Sequence, residues 1–268
     1  MGGVARGGED RDITHVAEGR MTDSDEQLPG VRAESPFRHV APWVSSAPTV
    51  RIVLASSSPR RRELLVRAGI RFAVVEPSPD PPLPPGMCAD LGCQLIARQK
   101  AVEVAERVEP GSFVVAADTV VVGPRGPLGK PGTPEAALRM LRELRGRRHT
   151  VLTGVCVLRT GTDVEALAVS RSLVKMRDFS DQDLITYVAS GEPLDKAGAY
   201  AVQGAGGDLV EAVSGRVDTV VGLDVALTLR LLAEAGYPDP LPRATDVPLT
   251  PPRRERRPLA PMRAAQRV

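Results

Sequence analysis

Residues 113–122, Phe-Val-Val-Ala-Ala-Asp-Thr-Val-Val-Val, constrain the fold more than any other stretch of the 268-residue chain. A run this apolar reads as a strand covered on both faces, at the centre of a sheet with helices on either side. Asp118 and Thr119 interrupt it. A carboxylate inside such a run is costly to bury unless it is paired or bound to a metal. Because the apolar run resumes at once, a functional carboxylate is a better reading than a cap on a bulge at the strand's end.

The elements around this strand alternate as an α/β fold requires. Residues 50–55 form another short apolar strand. Ser58 then offers an N-cap, Pro59 a first helical position, and Gly69 a stop about three turns later. Arg60, Arg61 and Arg62 sit at the positive end of that helix dipole, which is unfavourable without an anion. Unpaired helix N–H groups beside the hydroxyls of Ser56, Ser57 and Ser58 suit a phosphate chain. The alternative is an ordinary capped helix with a solvated basic face. Residues 71–75 read as a second strand, and 77–85 as a proline-rich loop. Asp90 is expected to cap a helix running to about Val108, with Leu91, Leu95, Ile96, Val102 and Ala105 on its apolar side and Lys100 within it.

Residues 123–132 read as a loop that lacks Walker A spacing and has Pro131 where a magnesium-binding hydroxyl would stand. Lys130 is therefore a candidate phosphate ligand on a plain turn. Thr133 and Pro134 open an amphipathic helix, with Ala137, Leu138, Leu141 and Leu144 inward and Gly146 as its stop. Residues 149–159 and 166–177 read as a hairpin. His149 at its start reads as structural, and it gives a Ser–His–Asp triad no support. Ser180 and Asp183 form a capping box for a helix to Ser190. Residues 191–207 are expected as a glycine-rich loop with one short strand. They gather Asp195, Lys196, Tyr200 and Gln203, a mixture that suggests ligand contact. Strands over 209–213 and 218–222 and a helix over 224–235 complete the pattern.

Composition narrows the function. A net charge of +2 makes no case for a stable nucleic-acid partner, and no run is apolar enough to span a membrane. Three cysteines, Cys88, Cys93 and Cys156, match neither a zinc spacing nor a disulfide framework, so a cytoplasmic setting is expected. Residues 1–48 are small, polar and acidic and read as a disordered extension. Residues 238–268 read as a disordered Pro/Arg-rich tail. The folded domain is expected over 49–237, with Met21 and Val50 as alternative starts.

Four stretches in order resemble the Maf family of nucleotide pyrophosphatases. They are Ala55-Ser-Ser-Ser-Pro-Arg-Arg61, Ala117-Asp-Thr119 with Gly129-Lys-Pro131, Asp195-Lys-Ala-Gly-Ala-Tyr200 with Gln203-Gly204, and Val220-Val-Gly-Leu223. The resemblance covers roughly residues 50–236. It implies an elongated mixed β-sheet with flanking helices, with two lobes around a cleft, as in inosine triphosphatase-like folds. It implies hydrolysis of a nucleoside triphosphate to the monophosphate and pyrophosphate with a divalent metal, Mg2+ or Mn2+. A non-catalytic regulator of septum formation is the other role associated with the family. By the family pattern Asp118 is the catalytic carboxylate, and Ser56, Arg61, Lys100 and Lys130 bind the phosphates. Arg60, Thr119 and Gln203 occupy the positions that divide the family, in the combination of the branch preferring dTTP and UTP. The acidic pair expected in the proline-rich loop is reduced to Asp80, which with Asp118 makes up the metal ligands that the resemblance implies. Asp224 stands where the family has proline, and is expected to cap the last helix. A homodimer is also implied, for which the residues themselves carry no signal.

Overall fold

Strict alternation along two neighbouring strands sets the architecture. In the computed structural model, which describes residues 52–79 and 86–238, strand β1 (Ile52–Ala55) sends Ile52 and Leu54 to one side of the sheet and Val53 and Ala55 to the other. Its neighbour β3 (Phe113–Gly123) divides in the same way, with Phe113, Val115 and Ala117 on the first side and Val114 and Ala116 on the second. Both sides are covered, as a near-continuous apolar run requires. Helices α1 (Pro59–Arg67) and α6 (Val225–Glu234) supply Leu64, Leu65, Leu231 and Leu232 to the first side. Helix α2 (Ala89–Ala105) supplies Ala97, Ala101 and Val104 to the second.

Among the described residues, seven strands make one mixed sheet in the order β2-β1-β3-β5-β6-β7, with β4 (Gly126–Leu128) beside the far end of β3. Strand β2 (Phe72–Val75) and β3 both run parallel to β1. Strands β5 (Arg148–Arg159), β6 (Glu165–Met176) and β7 (Val210–Ser214) continue antiparallel. The ends of β3, β5 and β6 beyond β1 carry a second core. There Val121, Val151, Val174 and Met176 meet α3 (Pro134–Leu144) and α4 (Asp181–Ala189). Leu141, Leu144 and Leu184 are fully buried in it, each stabilising by roughly 1.5–3 kcal/mol relative to exposure. Thr133 caps α3 by accepting from the Ala136 amide, and Ser180 and Asp183 form the expected reciprocal box on α4.

Several sequence expectations are corrected. Helix α2 is capped at Cys88 and ends at Ala105, while Asp90 lies in its first turn and pairs with Arg171 at 2.6 Å. Leu91 is 62% exposed, because the buried stripe is Gly92, Cys93, Ile96, Ala97, Lys100, Ala101 and Val104. Small residues face the sheet because the helix lies hard against β5. A Cβ on Gly154 would stand 2.6 Å from the carbonyl carbon and oxygen of Cys93. The loop over 123–132 contains β4. Residues 218–222 are not a strand but the short helix α5 (Val217–Val221). The Asp218 carboxylate accepts from the amides of Thr219 and Val225, both at 3.0 Å, and so folds that β-branched segment into a single turn. Residues 191–207 hold no strand. They form three 3-10 turns, Glu192–Asp195, Ala197–Ala199 and Gly204–Leu209. Gly198, at φ 69°, bends the chain where a Cβ would stand 2.9 Å from Val121 Cγ1. The extension over 1–48, Asp80 with the rest of 80–85, and the tail from 239 lie outside the described residues. No helix among the described residues is long and apolar enough to cross a membrane.

Candidate active site

Strand β1 ends at Ala55, opposite Ala116 of β3, and β4 first pairs with β3 at Val121. Between these points the β1 side of β3 has no strand neighbour among the described residues. Asp118, Thr119 and Val120 line the cleft that opens there, a space of about 850 Å3. The serine turn after β1, the turn carrying Gly129 and Lys130, and the segment from Asp195 to Gln203 form its other walls. The site therefore stands at the carboxyl end of β1, where α1 leads to β2 over one face of the sheet and α2 leads on to β3 over the other. Open α/β sheets commonly place ligands in such a position.

The strand's alternation sends its two polar residues to different partners. Asp118 continues the Val114–Ala116 side and meets α2. Lys100 Nζ lies 2.9 Å from Asp118 Oδ1 and 3.4 Å from the Ala117 carbonyl, with both side chains nearly buried. Thr119 continues the other side and meets α1. Arg61 donates through Nε to the Gly222 carbonyl at 2.8 Å, and its other nitrogens reach Ser56 Oγ and Thr119 Oγ1 at 3.4 Å. Ser56, only 2% exposed, also accepts from the Ser58 amide at 3.1 Å. Ser58 holds the N-cap position, but its hydroxyl takes no bond from the helix.

Arg60 and Arg62, beside Arg61, face differently. Arg62 pairs with Glu76 at 2.6 Å and does not line the cleft. Arg60 lines the cleft near Asp195. Partial burial raises the Asp195 pKa. The Lys196 hydrogen bond and the charges of Lys196 and Arg60 outweigh that and hold the carboxyl below its usual range. Lys196 also donates to the Glu192 carbonyl at 2.5 Å. Lys130 is exposed at the rim, and Gln203 and Tyr200 line the opposite wall. Every expected site residue except Asp80 thus borders one cleft. Among the described residues its wall carries five cationic side chains (Arg60, Arg61, Lys100, Lys130, Lys196) against three carboxylates (Glu76, Asp118, Asp195), an excess suited to a polyanion.

No group of three or more potential metal ligands occurs among the described residues. The single carboxylate of Asp118 fits a magnesium-type ion, which keeps several waters and takes one or two carboxylates plus phosphate oxygens. The two buried thiols offer no nucleophile. Burial, reinforced by the charge of Asp118, pushes Cys93 up to about 12, and burial pushes Cys156 equally far.

Three participants have no plain signal in the sequence. Thr153 and Thr219 lie behind Thr119, linked through bonds of 2.9 and 2.8 Å. Glu192 pins the turn that follows Gln203, accepting from the amides of Ala205 and Gly206 at 3.2 and 3.3 Å. A threonine on a strand and a glutamate beside a turn are ordinary in composition, and only the fold gives them these partners.

The Maf-like protein family model matches residues 51–235. A dTTP/UTP pyrophosphatase of Anaeromyxobacter dehalogenans (strain 2CP-C) is 48% identical over 192 residues, covering 71% of this chain and 96% of that one. One from Myxococcus xanthus (strain DK1622) is 48% identical over 189 residues, covering 70% and 94%. Among solved structures, a HAM1 protein from Coxiella burnetii overlays at a TM-score of 0.37 and 16% identity, over 56% of this chain and 86% of that one. That last likeness is too slight to argue from, but the family match spans the whole sheet and every wall of the cleft, and this chain belongs to the Maf family.

Proposed function

We propose that this protein hydrolyses a nucleoside triphosphate between the α and β phosphorus atoms, releasing the monophosphate and pyrophosphate, with dTTP and UTP as preferred substrates. The observation that carries this reading is the nearly buried Asp118–Lys100 pair inside a cleft whose wall is otherwise rich in cations. The pyrimidine preference is supported by the relatives' names and by Arg60, Thr119 and Gln203 bordering the same cleft.

A triphosphate carries about four negative charges, which Arg60, Arg61, Lys100 and Lys130 together with a divalent metal would offset. Arg61 is braced by three acceptors, so its fork is oriented before substrate arrives. Lys100 holds Oδ1 of Asp118, leaving Oδ2 to take a proton from the attacking water. The water oxygen bonds to the α phosphorus, the bond to the bridging oxygen breaks, and pyrophosphate leaves with its charge met by Lys130 and the arginines. In the other role open to Asp118, its carboxylate would hold a divalent ion with the phosphates, which would add charge neutralisation at the reacting phosphorus. A cytoplasmic location and a homodimer belong to the same reading. The location is supported by three free thiols, and light scattering tests the dimer.

The test is pyrophosphate release from dTTP, UTP, CTP, GTP, ATP and 7-methyl-GTP with magnesium or manganese. Asp118→Asn is expected to lower kcat by about 10²–10⁴ while nucleotide binding, read by calorimetry, persists. Undiminished turnover in that variant would remove Asp118 from the chemistry. Tight binding without turnover by the unaltered protein would favour a regulator.

A further inference from the structure

Thr153 on β5 is fully buried, and its hydroxyl donates to the Thr219 carbonyl at 2.8 Å. A carbonyl oxygen only accepts, so the one proton of Thr153 is spent there. Thr153 Oγ1 also lies 2.9 Å from Thr119 Oγ1, and the proton of that bond must come from Thr119, whose other acceptor, the Gly222 carbonyl, is farther away at 3.4 Å. The next layer is ordered in the same sense. Ser170 Oγ donates to Asp224 Oδ2 at 2.6 Å, so the Thr219 hydroxyl, 2.7 Å away, donates to Ser170. Arg216 holds the other oxygen of Asp224 at 3.0 Å. Thr153 and Ser170 point their protons at a carbonyl and a carboxylate, and Thr119 and Thr219 point theirs inward at those two hydroxyls. Thr119, at its outer end, therefore offers the cleft lone pairs alone, one of which takes the long 3.4 Å bond from Arg61 and leaves the other for a ligand.

An oxygen with only lone pairs to offer repels phosphate oxygens and takes a donor. An ionised triphosphate has no donors in its phosphate chain, so the partner belongs to the nucleoside. We infer that Thr153 is a positioning residue for substrate choice. By taking the proton of Thr119 it makes that hydroxyl an acceptor for a hydrogen-bond donor of the nucleoside, either the imino N–H of a uracil or thymine ring or the sugar 3′-hydroxyl. The inference rests on the nucleotide-hydrolase reading above. In the base form it separates UTP from CTP, whose ring shows a lone pair where uracil shows N–H.

The experiment measures kcat/KM of the full chain for UTP, 3-methyl-UTP and 3′-deoxy-UTP, then repeats it with Thr153→Val and Thr153→Ser. The unaltered protein is expected to use one analogue at least tenfold less well than UTP, and which one identifies the donor. Thr153→Val is expected to bring that ratio towards one, and Thr153→Ser to keep it. A merely structural role for Thr153 would slow all three substrates alike and leave the ratio where it was, which overturns the inference. So does equal use of all three substrates by the unaltered protein, a result that needs no folded variant. Turnover of no nucleotide at all overturns the hydrolase reading and this inference together, whereas turnover with unchanged ratios overturns this inference alone.

Discussion

At the scale of single residues, the Lys100–Asp118 pair carries both stability and chemistry. Both side chains are almost out of water, at 7% and 12% exposure, and their heavy atoms meet at 2.9 Å. Lys100→Ala would leave the carboxylate buried without its cation, at a cost of roughly 3–5 kcal/mol. Combining Lys100→Met with Asp118→Asn removes both charges and should recover most of that loss, because a buried neutral pair has little to desolvate. Urea denaturation of the single and double variants reads the difference. Equal destabilisation in both would mean that packing, not charge pairing, holds this point together. Asp118 was legible in the sequence because it interrupts an apolar run. The partnership was not, because Lys100 in Arg98-Gln-Lys-Ala101 reads as an ordinary helix position. Its burial comes from how closely α2 lies on the sheet. Thr153 stayed hidden for a similar reason, since a threonine suits any strand and only the register of β3 on β5, with Thr119 opposite Thr153, gives it a task.

At the scale of elements, the placement of α2 decides whether that pair can form. Gly154 on β5 is the register partner of Asp118, and it is where the helix backbone touches the sheet. Gly154→Ala would drive a Cβ to within 2.6 Å of the Cys93 backbone, and backbone cannot turn aside as a flexible side chain can. Overpacking of this kind costs about 1–3 kcal/mol, and the upper end is expected here. The variant should lose stability and also kcat, since the displaced helix carries Lys100 away from Asp118. Gly129→Ala, with nothing within 4 Å of the added carbon, serves as the stability control. Thermal melts and turnover of the two variants check this, and an unshifted melt for Gly154→Ala would mean that α2 has slack. The elements with clear periodicity or caps, β3, the β5–β6 hairpin, α3 and α4, were readable in advance. The misread ones share a cause. Val217-Asp-Thr-Val-Val221 has strand propensity, yet Asp218 recruits two amides and Arg216 into a helical turn, and tertiary hydrogen bonds override β-branched preference. The apolar stripe of α2 was set one face away from where large side chains suggested, because close packing selects small ones.

At the scale of the whole molecule, three long strands run through two cores, and the cleft lies where the first ends and the second begins. The segment bearing Gln203 must stay fastened to the sheet for that cleft to keep its shape. His149 on β5 is one fastening. Its Nε2 lies 2.7 Å from the hydroxyl of Tyr200, which lines the cleft, and the ring is 3% exposed. Burial lowers its pKa from 6.5 to about 4. Above about pH 6.5 the ring is neutral in folded and unfolded chains alike, and this contribution is fully present. As pH falls through that value the unfolded chain takes up a proton that the native site refuses until about pH 4. The unfolded state then binds more protons, so stability declines across the window, by roughly 3 kcal/mol at its lower end. His149→Gln keeps a side chain that can bond Tyr200 but does not titrate. Carboxylates elsewhere titrate in both proteins, so the difference between their pH profiles isolates the histidine. Urea midpoints measured from pH 7.5 to 4 should show the unaltered protein losing stability faster than the variant between pH 6.5 and 4, with the two parallel above. Parallel profiles throughout would mean that the buried ring accepts its proton at an ordinary pH, and that acid does not loosen the wall of the cleft through His149.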